Sequence, residues 1–242
     1  GVDIQNQYTD GWKDIVVADN KIISGNQERQ NYAVRVYVNG GSLGIGGSVY
    51  GIAGVVVRNN TALIHADTTL GSYGVYVLSD GYLWDGLQVD NNIVRYEVSA
   101  GNTLQTGLSC NLRMTVSTAN PSDVHKKLSM DGNSFSPTDA NAAGVPDLYA
   151  RFYGNVGVDE LSICRNKTRN AIKAEYDNTP ATGNSFGLEN WNISNNIINN
   201  SLTLDGTPGS LLLVEVQKVQ ANSFTAQNIK VCDNQIDTLP SG

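Results

Sequence analysis

One short sequence phrase recurs along this chain of 242 residues and constrains the fold more than any other feature. In each copy two apolar residues lie two positions apart, two mostly polar or small residues follow, and an asparagine closes the phrase. Since alternate residues of a β-strand point to one face, the paired apolar residues of each copy are predicted to face one interior. The seven copies, 30 to 41 residues apart, are 15–20, 55–60, 87–92, 128–133, 161–166, 191–196 and 229–234, and they close with Asn20, Asn60, Asn92, Asn133, Asn166, Asn196 and Asn234.

Two further strands are predicted in each repeat. One follows the asparagine, where the interior candidates are Ile22, Ala62, Val94, Phe135, Thr168, Ile198 and Ile236. The other is an apolar alternation between most copies, at 33–38, 73–78, 148–153, 171–176 and 211–216. Three short strands joined by bends make one coil of a parallel β-helix, and neither helical nor leucine-rich repeats fit these spacings. We therefore predict a single all-β domain over residues 1–242, a parallel β-helix of about seven coils and a fragment of a longer chain.

The bends of this helix are predicted at two places in each repeat. The closing asparagine tolerates left-handed backbone angles, and its amide can bond to the next coil, so the asparagines should stack as a ladder. A second bend residue precedes several copies, at Asp14, Gly54, Gly86, Asn190 and Asn228. The uneven spacing of the copies predicts variable loops projecting at 39–47, 102–104, 118–122, 136–145, 178–184 and 205–210.

Composition excludes several classes of function. Sixteen basic and 23 acidic residues give a formal net charge of −7, which disfavours nucleic acid as a partner because binding its backbone needs a concentrated positive field. No apolar run is long enough to span a membrane. The three cysteines show no CxxC spacing, and Cys164 and Cys232 occupy the same slot of two repeats, so they are predicted to be small packing residues.

The chain resembles the pectate-lyase-like superfamily of right-handed parallel β-helices over residues 9–237, most clearly in Val89-Asp90-Asn91-Asn92 and Ile193-Ser194-Asn195-Asn196. Within that superfamily its long, loop-rich coils look like bacteriophage tailspike or appendage proteins, which bind and often cleave bacterial surface polysaccharide. The resemblance implies a right-handed helix, a bacterial polysaccharide as partner, a homotrimer, and a place in a virion tail, at a cell surface or outside the cell. The complete catalytic motifs of polygalacturonases, pectate lyases and mannuronan epimerases are missing from the chain.

Outward positions of the third strands carry the candidate site. Equivalent slots of adjacent coils lie about 4.8 Å apart, so matching registers would bring Glu175 and Glu215 within the range of a glycosidase pair. Their like charges would raise the pKa of one carboxyl group and supply the acid. We predict Glu175 and Glu215 as catalytic residues, and as substrate-binding residues Arg35, Tyr76, Tyr149, Arg151, Tyr153 and Lys173. Outward charges on such a face also commonly form surface ion pairs worth about 0 to 1 kcal/mol.

Other chemically active residues receive structural interpretations. His65 and His125 are expected at the surface, Trp191 in the core, and Trp12 and Trp84 either in packing or in sugar stacking. Carboxylates before or beside the asparagine strand form a second candidate set, comprising Asp85, Asp90, Asp159, Glu160 and Glu189, and the position of Asp90 within the phrase favours a structural role. No cofactor is predicted, although abundant carboxylates and carbonyls leave calcium open.

Two functions of different classes fit these observations. The first is a carbohydrate-active β-helix that binds and can cleave a bacterial surface polysaccharide, as a hydrolase or a lyase. The alternative is a non-enzymatic structural or adhesive shaft of a viral or bacterial surface protein. Binding of a glycan would separate the two.

Overall fold

The computed structural model describes residues 1–7, 12–24, 32–39, 51–66, 73–80, 82–98, 106–114, 124–137, 146–154, 156–177, 185–200, 212–217 and 223–238. Throughout these ranges the regular elements are β-strands, and they form three parallel sheets of stacked strands. No element in the described ranges is a helix of the length and apolar character needed to cross a membrane. The fold is therefore all-β, and its stacked parallel strands are consistent with a parallel β-helix.

Sheet A contains the strands that lie between copies of the phrase. These strands are β1 (Val2–Gln7), β4 (Tyr32–Asn39), β7 (Tyr73–Asp80), β10 (Thr106–Met114), β13 (Leu148–Gly154), β16 (Ile172–Asp177) and β20 (Leu212–Gln217). The sequence prediction found five of them and missed β1 and β10. The signal in β10 was the alternation of Leu108, Cys110 and Leu112, all three of which are buried.

Sheet B contains the phrase itself, and sheet C contains the short strands that follow it. Sheet B consists of β2 (Lys13–Ala18), β5 (Gly51–Arg58), β8 (Leu83–Asp90), β11 (Val124–Ser129), β14 (Gly157–Cys164), β17 (Ser185–Glu189), β18 (Asn192–Ser194), β21 (Ser223–Gln227) and β22 (Lys230–Cys232). Sheet C consists of β3 (Lys21–Ser24), β6 (Thr61–Ala66), β9 (Ile93–Val98), β12 (Ser134–Pro137), β15 (Lys167–Thr168), β19 (Ile197–Asn200) and β23 (Gln235–Thr238). Of the predicted loops, Asn39, Ser136 and Pro137 lie in strands, and the other positions lie outside the described residues.

The repeats stack in the register that the phrase predicts. Ile15 pairs with Val55, and Val55 pairs with Leu87. The inward residues of the middle repeats are buried and form one core along the stack. The last repeat differs, because no described strand stacks beyond β22 and β23. There Val231 is 45% exposed and Ile236 is 44% exposed, so these two predicted interior residues are not buried, although they pair with the buried Ile193 and Ile198.

The closing asparagines form the predicted ladder at the corner between sheets B and C. Each asparagine from Asn20 to Asn196 donates both its backbone N–H and its Nδ2 to the Oδ1 of the asparagine in the next repeat. The Nδ2 to Oδ1 distances are 2.9–3.1 Å. Nδ2 also donates to a backbone carbonyl, as from Asn166 to Met130 at 2.8 Å. Since the amides from Asn60 to Asn196 are buried, the ladder provides hydrogen-bond partners for groups that would be costly to leave unbonded.

The left-handed residue of this corner is not the ladder asparagine, as the sequence had suggested, but the residue before it. These residues have φ between 54° and 68° and are Asp19, Asn59, Asn91, Gly132, Arg165, Asn195 and Asp233. The turn and the ladder therefore use adjacent residues, which leaves each ladder amide free to face inward.

The second bend also forms a complete column. The predicted bend residues Asp14, Gly54, Gly86, Asn190 and Asn228 all have positive φ, and Lys127 and Glu160 occupy the same position in the two other repeats. In the fourth repeat the left-handed residue is Lys127, and it interrupts the in-and-out alternation of the strand. His125, before it, and Leu128, after it, therefore both point inward. The expectation of a surface His125 is therefore wrong: it is fully buried, its Nδ1 accepts from the Trp84 backbone, and burial lowers its pKa to about 3.

The tryptophans serve packing. Trp191 is 1% exposed, which confirms its prediction as core. Trp84 is equally buried, and its Nε1 donates to the Ser79 hydroxyl at 2.8 Å, so packing accounts for this ring. Trp12 is partly buried against the same core.

A buried carboxylate, Asp147, organises the corner between sheets C and A in one repeat. Its Oδ2 accepts from the backbone N–H groups of Arg169 at 2.8 Å and Asn170 at 2.7 Å. Its Oδ1 accepts from the Tyr96 hydroxyl and from Asn170 Nδ2. Burial raises the pKa of Asp147 to about 6 against the lowering effect of these donors. The residue thus holds a turn together at a carboxyl group that titrates in the mildly acidic range.

Candidate functional site

Sheet A contains the backbone positions of all the sequence-predicted site residues. Its registers place one column through Arg35, Tyr76, Ser109, Tyr149 and Lys173. A neighbouring column runs through Tyr37, Leu78, Asn111, Arg151, Glu175 and Glu215. Tyr153 pairs with Asp177 in a third column. The side chains of Tyr153 and Glu215 lie outside the described part of the structure, so for these two residues only the backbone positions are defined.

Four of these residues form an ionic cluster around Glu175. Its Oε2 accepts from Lys173 Nζ and from the Tyr149 hydroxyl, both at 2.7 Å. Its Oε1 lies 3.1 Å from Arg151 Nε. The Lys173 ammonium also lies 5.3 Å from the centre of the Tyr149 ring, within the range of a cation–π contact. These four side chains were predicted to lie on one face, and the structure shows that they also contact one another around Glu175.

The environment of Glu175 keeps this carboxyl group ionised. Its side chain is only 5% exposed, and burial by itself would raise its pKa. Hydrogen bonds from Lys173 and Tyr149, together with the charges of Lys173 and Arg151, outweigh that effect, so its pKa lies below the ordinary value. A carboxylate held in this state suits the role of base, nucleophile or ligand-orienting anion rather than that of proton donor.

The register condition for a carboxylate pair is met by the backbone. Glu175 and Glu215 are direct partners in the β16–β20 pairing. Strands in a sheet lie about 4.8 Å apart, so the two Cα atoms occupy adjacent rungs of one column. Because the pKa of Glu175 is lowered, an acid in this pair would have to be Glu215.

A second cluster, made of aromatic rings, lies at the start of β4 and β7. The rings of Tyr32 and Tyr73 are nearly parallel, with centroids 5.6 Å apart and 8° between their planes. Tyr76 packs against both, with centroid distances of 5.2 Å to Tyr32 and 4.5 Å to Tyr73. The Arg35 guanidinium lies 4.8 Å from the Tyr32 ring centre, and Asp3 binds it. Arg35 and Tyr76 were predicted from the sequence, but Tyr32 and Tyr73 were not. The available signal was that each of these two tyrosines is the first residue of its strand, in β4 and in β7.

Three carboxylates of the second set, on sheet B, make structural contacts, and the other two, Glu160 and Glu189, are exposed. Asp90 accepts from the Ser129 hydroxyl at 2.7 Å and from the Asp131 backbone at 3.0 Å, which agrees with the structural role expected for it. Asp85 pairs with Lys126 and Lys127, and Asp159 accepts from the Asn190 amide. In the part of the chain that the structure describes, no three His, Cys, Asp or Glu side chains converge as metal ligands.

Comparisons of the chain with protein-family models, with curated proteins and with solved structures found no match. The two clusters on sheet A are therefore the features of this chain that point to a function.

Proposed function

We propose that this chain is a right-handed parallel β-helix of about seven coils that binds a bacterial surface polysaccharide along the outer face of sheet A. The observation that carries the proposal is the alignment of tyrosine, arginine, lysine and glutamate side chains in continuous columns across successive strands. Such columns repeat about every 4.8 Å, which is close to the length of one sugar unit in an extended glycan. A face whose side chains are regularly spaced in this way suits a polymer with a regular repeat length.

The chemistry of the face supports the same ligand. Aromatic rings offer flat surfaces to the apolar faces of sugar rings, and a tyrosine hydroxyl adds a polar group at the edge of its ring. Lys173 and Arg151 have side chains that are 26% and 34% exposed, so both can still contact hydroxyl or acidic groups of a ligand. Because the chain as a whole has a net charge of −7, this pair of cations is a local feature of the face and not a general property of the surface.

Location and assembly complete the proposal. Polysaccharide binding places the protein outside a cell, either in a virion tail or at a cell surface. By its resemblance to tailspikes, the chain acts as a homotrimer. Light scattering of the purified protein tests this assembly, and a monomer that binds polysaccharide would refute the trimer while leaving the binding function intact.

The direct test of binding uses purified capsular and O-antigen polysaccharides immobilised as a panel. We expect retention of the wild-type protein by at least one polysaccharide and at least tenfold weaker retention of the double variant Arg151→Ala/Lys173→Ala. Arg95→Ala/Lys21→Ala, which removes two exposed cations from sheet C, is the matched control and should bind as the wild type does. Absence of retention across the panel would refute polysaccharide binding and favour the non-enzymatic shaft.

Cleavage of the polysaccharide by Glu175 and Glu215 is a second candidate function, favoured by their direct pairing in β16 and β20. Glu175, held ionised, would serve as base or nucleophile, and Glu215 would serve as the acid. Release of reducing ends would indicate a hydrolase, and release of unsaturated uronates would indicate a lyase. Loss of either product in both Glu175→Gln and Glu215→Gln, with retention on the polysaccharide preserved, would support the pair. Retention without product would leave the protein as a binding module.

A further inference from the structure

We infer that the rings of Tyr32, Tyr73 and Tyr76 form a stacking platform for an uncharged sugar unit, a subsite chemically distinct from the ionic cluster around Glu175. The inference rests on the proposed polysaccharide binding and adds to it the position and charge of one bound unit. Its basis is the geometry of the three rings and of the ion pair beside them.

The three rings form one connected aromatic surface built from two successive repeats. Tyr32 and Tyr73 are direct partners in the β4–β7 pairing, which holds their rings nearly parallel. Tyr76 is tilted by 37° and 35° against them and joins the two rings at the side. All three side chains are half-buried, so each is anchored in the protein while part of it faces solvent. Rigid tyrosines of this kind provide contact area at low cost in conformational entropy.

The charges beside the platform offset each other. Arg35 donates from Nε to Asp3 Oδ1 at 2.8 Å and from its terminal nitrogen to Asp3 Oδ2 at 2.5 Å. This two-point contact holds the guanidinium over the rings of Tyr32 and Tyr37, at 4.8 Å and 5.7 Å from their centres, so the ring faces open to a ligand are those of Tyr73 and Tyr76 that their neighbours do not cover. Arg35, predicted from sequence as a substrate-binding residue, is thus matched in charge by Asp3. A ligand at the platform meets aromatic carbon and polar groups without an excess of cationic charge.

The contrast with the ionic cluster sets the order of the two subsites along the ligand. Arg35, Tyr76, Tyr149 and Lys173 share one column, and one further rung, Ser109, separates Tyr76 from Tyr149. At about 4.8 Å per rung, the platform and the cluster are roughly two to three rungs apart. A single extended glycan can therefore place a neutral unit on the tyrosines and a polar or acidic unit beside Lys173 and Arg151.

Structural packing alone is the competing explanation for these rings. Aromatic pairs stabilise proteins beyond the burial of their area, so removing one ring should lower stability in either case. Ligand binding distinguishes the two explanations. Stacking requires the ring, whereas a hydrogen bond to ligand requires the hydroxyl group. Phenylalanine and alanine variants therefore separate the contributions.

The experiment is affinity electrophoresis in gels that contain one polysaccharide each, with neutral capsular, O-antigen and mannan preparations beside acidic capsular preparations and polygalacturonate. Tyr73→Ala and Tyr76→Ala should reduce retardation by a neutral polysaccharide at least tenfold, and Tyr73→Phe and Tyr76→Phe should stay within about twofold of the wild type. Leu63→Ala, which truncates a half-buried side chain on sheet C, is the control. Thermal melting of every variant confirms that it is folded at the temperature of the gel.

Each other outcome overturns a defined part of the inference. Alanine variants that melt at lower temperature but are retarded like the wild type would show that the rings serve packing only. Retardation by acidic polysaccharides alone, lost in Lys173→Ala and unchanged in the tyrosine variants, would overturn the platform and leave polysaccharide binding in place. Equal losses in the phenylalanine and alanine variants would assign the contact to the hydroxyl groups. Retardation by none of the polysaccharides would overturn the proposed function and the platform together.

Discussion

The ladder corner and the outer face of sheet A are built on the same stacking of repeats, but they use it in opposite ways. At the corner, one residue type occupies every rung, and its amide is bonded on both sides. On the face, one column changes from Arg35 to Tyr76, Ser109, Tyr149 and Lys173 over successive rungs. The comparison shows that repetition in this protein secures the fold, while departure from repetition supplies the chemistry.

The physical reason lies in burial. A ladder amide has no access to water, so its donors and acceptor must be matched by an identical group one repeat away. Most described outward side chains on sheet A, such as Arg35, Tyr76 and Lys173, keep some access to solvent, and the backbone hydrogen bonds of their strands do not depend on residue type. The corner therefore requires the same residue type in every repeat, whereas the outer face accepts many residue types.

The largest expected effect is at the ladder. Asn166→Ala removes an amide that donates to Met130 O and to Asn196 Oδ1 and that accepts from Asn133. Since the partners left unbonded are buried, we expect a loss of about 3 to 5 kcal/mol in the free energy of unfolding, measured by denaturant titration. The exposed Asn199→Ala should change it by less than about 0.5 kcal/mol. Similar stabilities for the two variants would contradict the importance assigned to the ladder.

Asp147 tests a corner that relies on one buried carboxyl group instead of a repeated amide. Its folded pKa of about 6 lies above the reference value of 3.8, so the folded state binds the proton more tightly than the unfolded state does. Its contribution is fully present below about pH 4 and is lost as the pH rises to about 6, a change of about 3 kcal/mol. Asp147→Asn should remove this component from the difference in unfolding free energy between pH 4 and pH 7. An unchanged pH dependence would show that the carboxyl group does not titrate in this range.

Glu175 should show the opposite sign on the outer face. Because its pKa is lowered, its stabilising effect is present above its ordinary pKa of 4.5 and is lost as the pH falls through the lower folded value. Glu175→Gln should cost about 1 to 2 kcal/mol at pH 7, less than a ladder variant, since Arg151 and Lys173 retain partial access to water. Urea unfolding at pH 7 and pH 3 measures both effects, with the exposed Glu189→Gln as control. A greater loss than in Asn166→Ala would reverse the comparison between face and corner.

The smallest effect is expected at the second bend. Glu160 has φ of 55°, a conformation that asparagine adopts at the same position in Asn190 and Asn228. Glu160→Asn should therefore stabilise the protein by about 0.5 to 1 kcal/mol through relief of backbone strain. Glu189→Asn, at an exposed position of the same sheet without a positive φ, should give no gain in melting temperature. A loss of stability in Glu160→Asn would mean that the glutamate side chain contributes more than the strain costs.

Much of the framework was predictable because its signals are local and repeated. The phrase identified the inward residues of the middle repeats, the ladder and five second-bend residues. The left-handed conformation was assigned to the ladder asparagine, one residue too late. The residue that turns the chain and the residue that forms the ladder are adjacent and mostly polar, so the sequence does not distinguish them. His125 was predicted at the surface because the left-handed bend at Lys127, which reverses the alternation of the strand, was not predicted. Lysine is not a residue type that indicates such a bend.

By itself, the sequence of this protein determined that short parallel strands stack with their asparagines in line, because a period of apolar pairs and closing amides can be satisfied only by identical neighbours. Only the tertiary structure decided which outward side chains meet. The ring contact between Tyr32 and Tyr73 joins residues 41 positions apart, and the cluster around Glu175 joins two strands. Such contacts depend on the direction and reach of each side chain across the sheet, and a periodic sequence pattern contains no information about either.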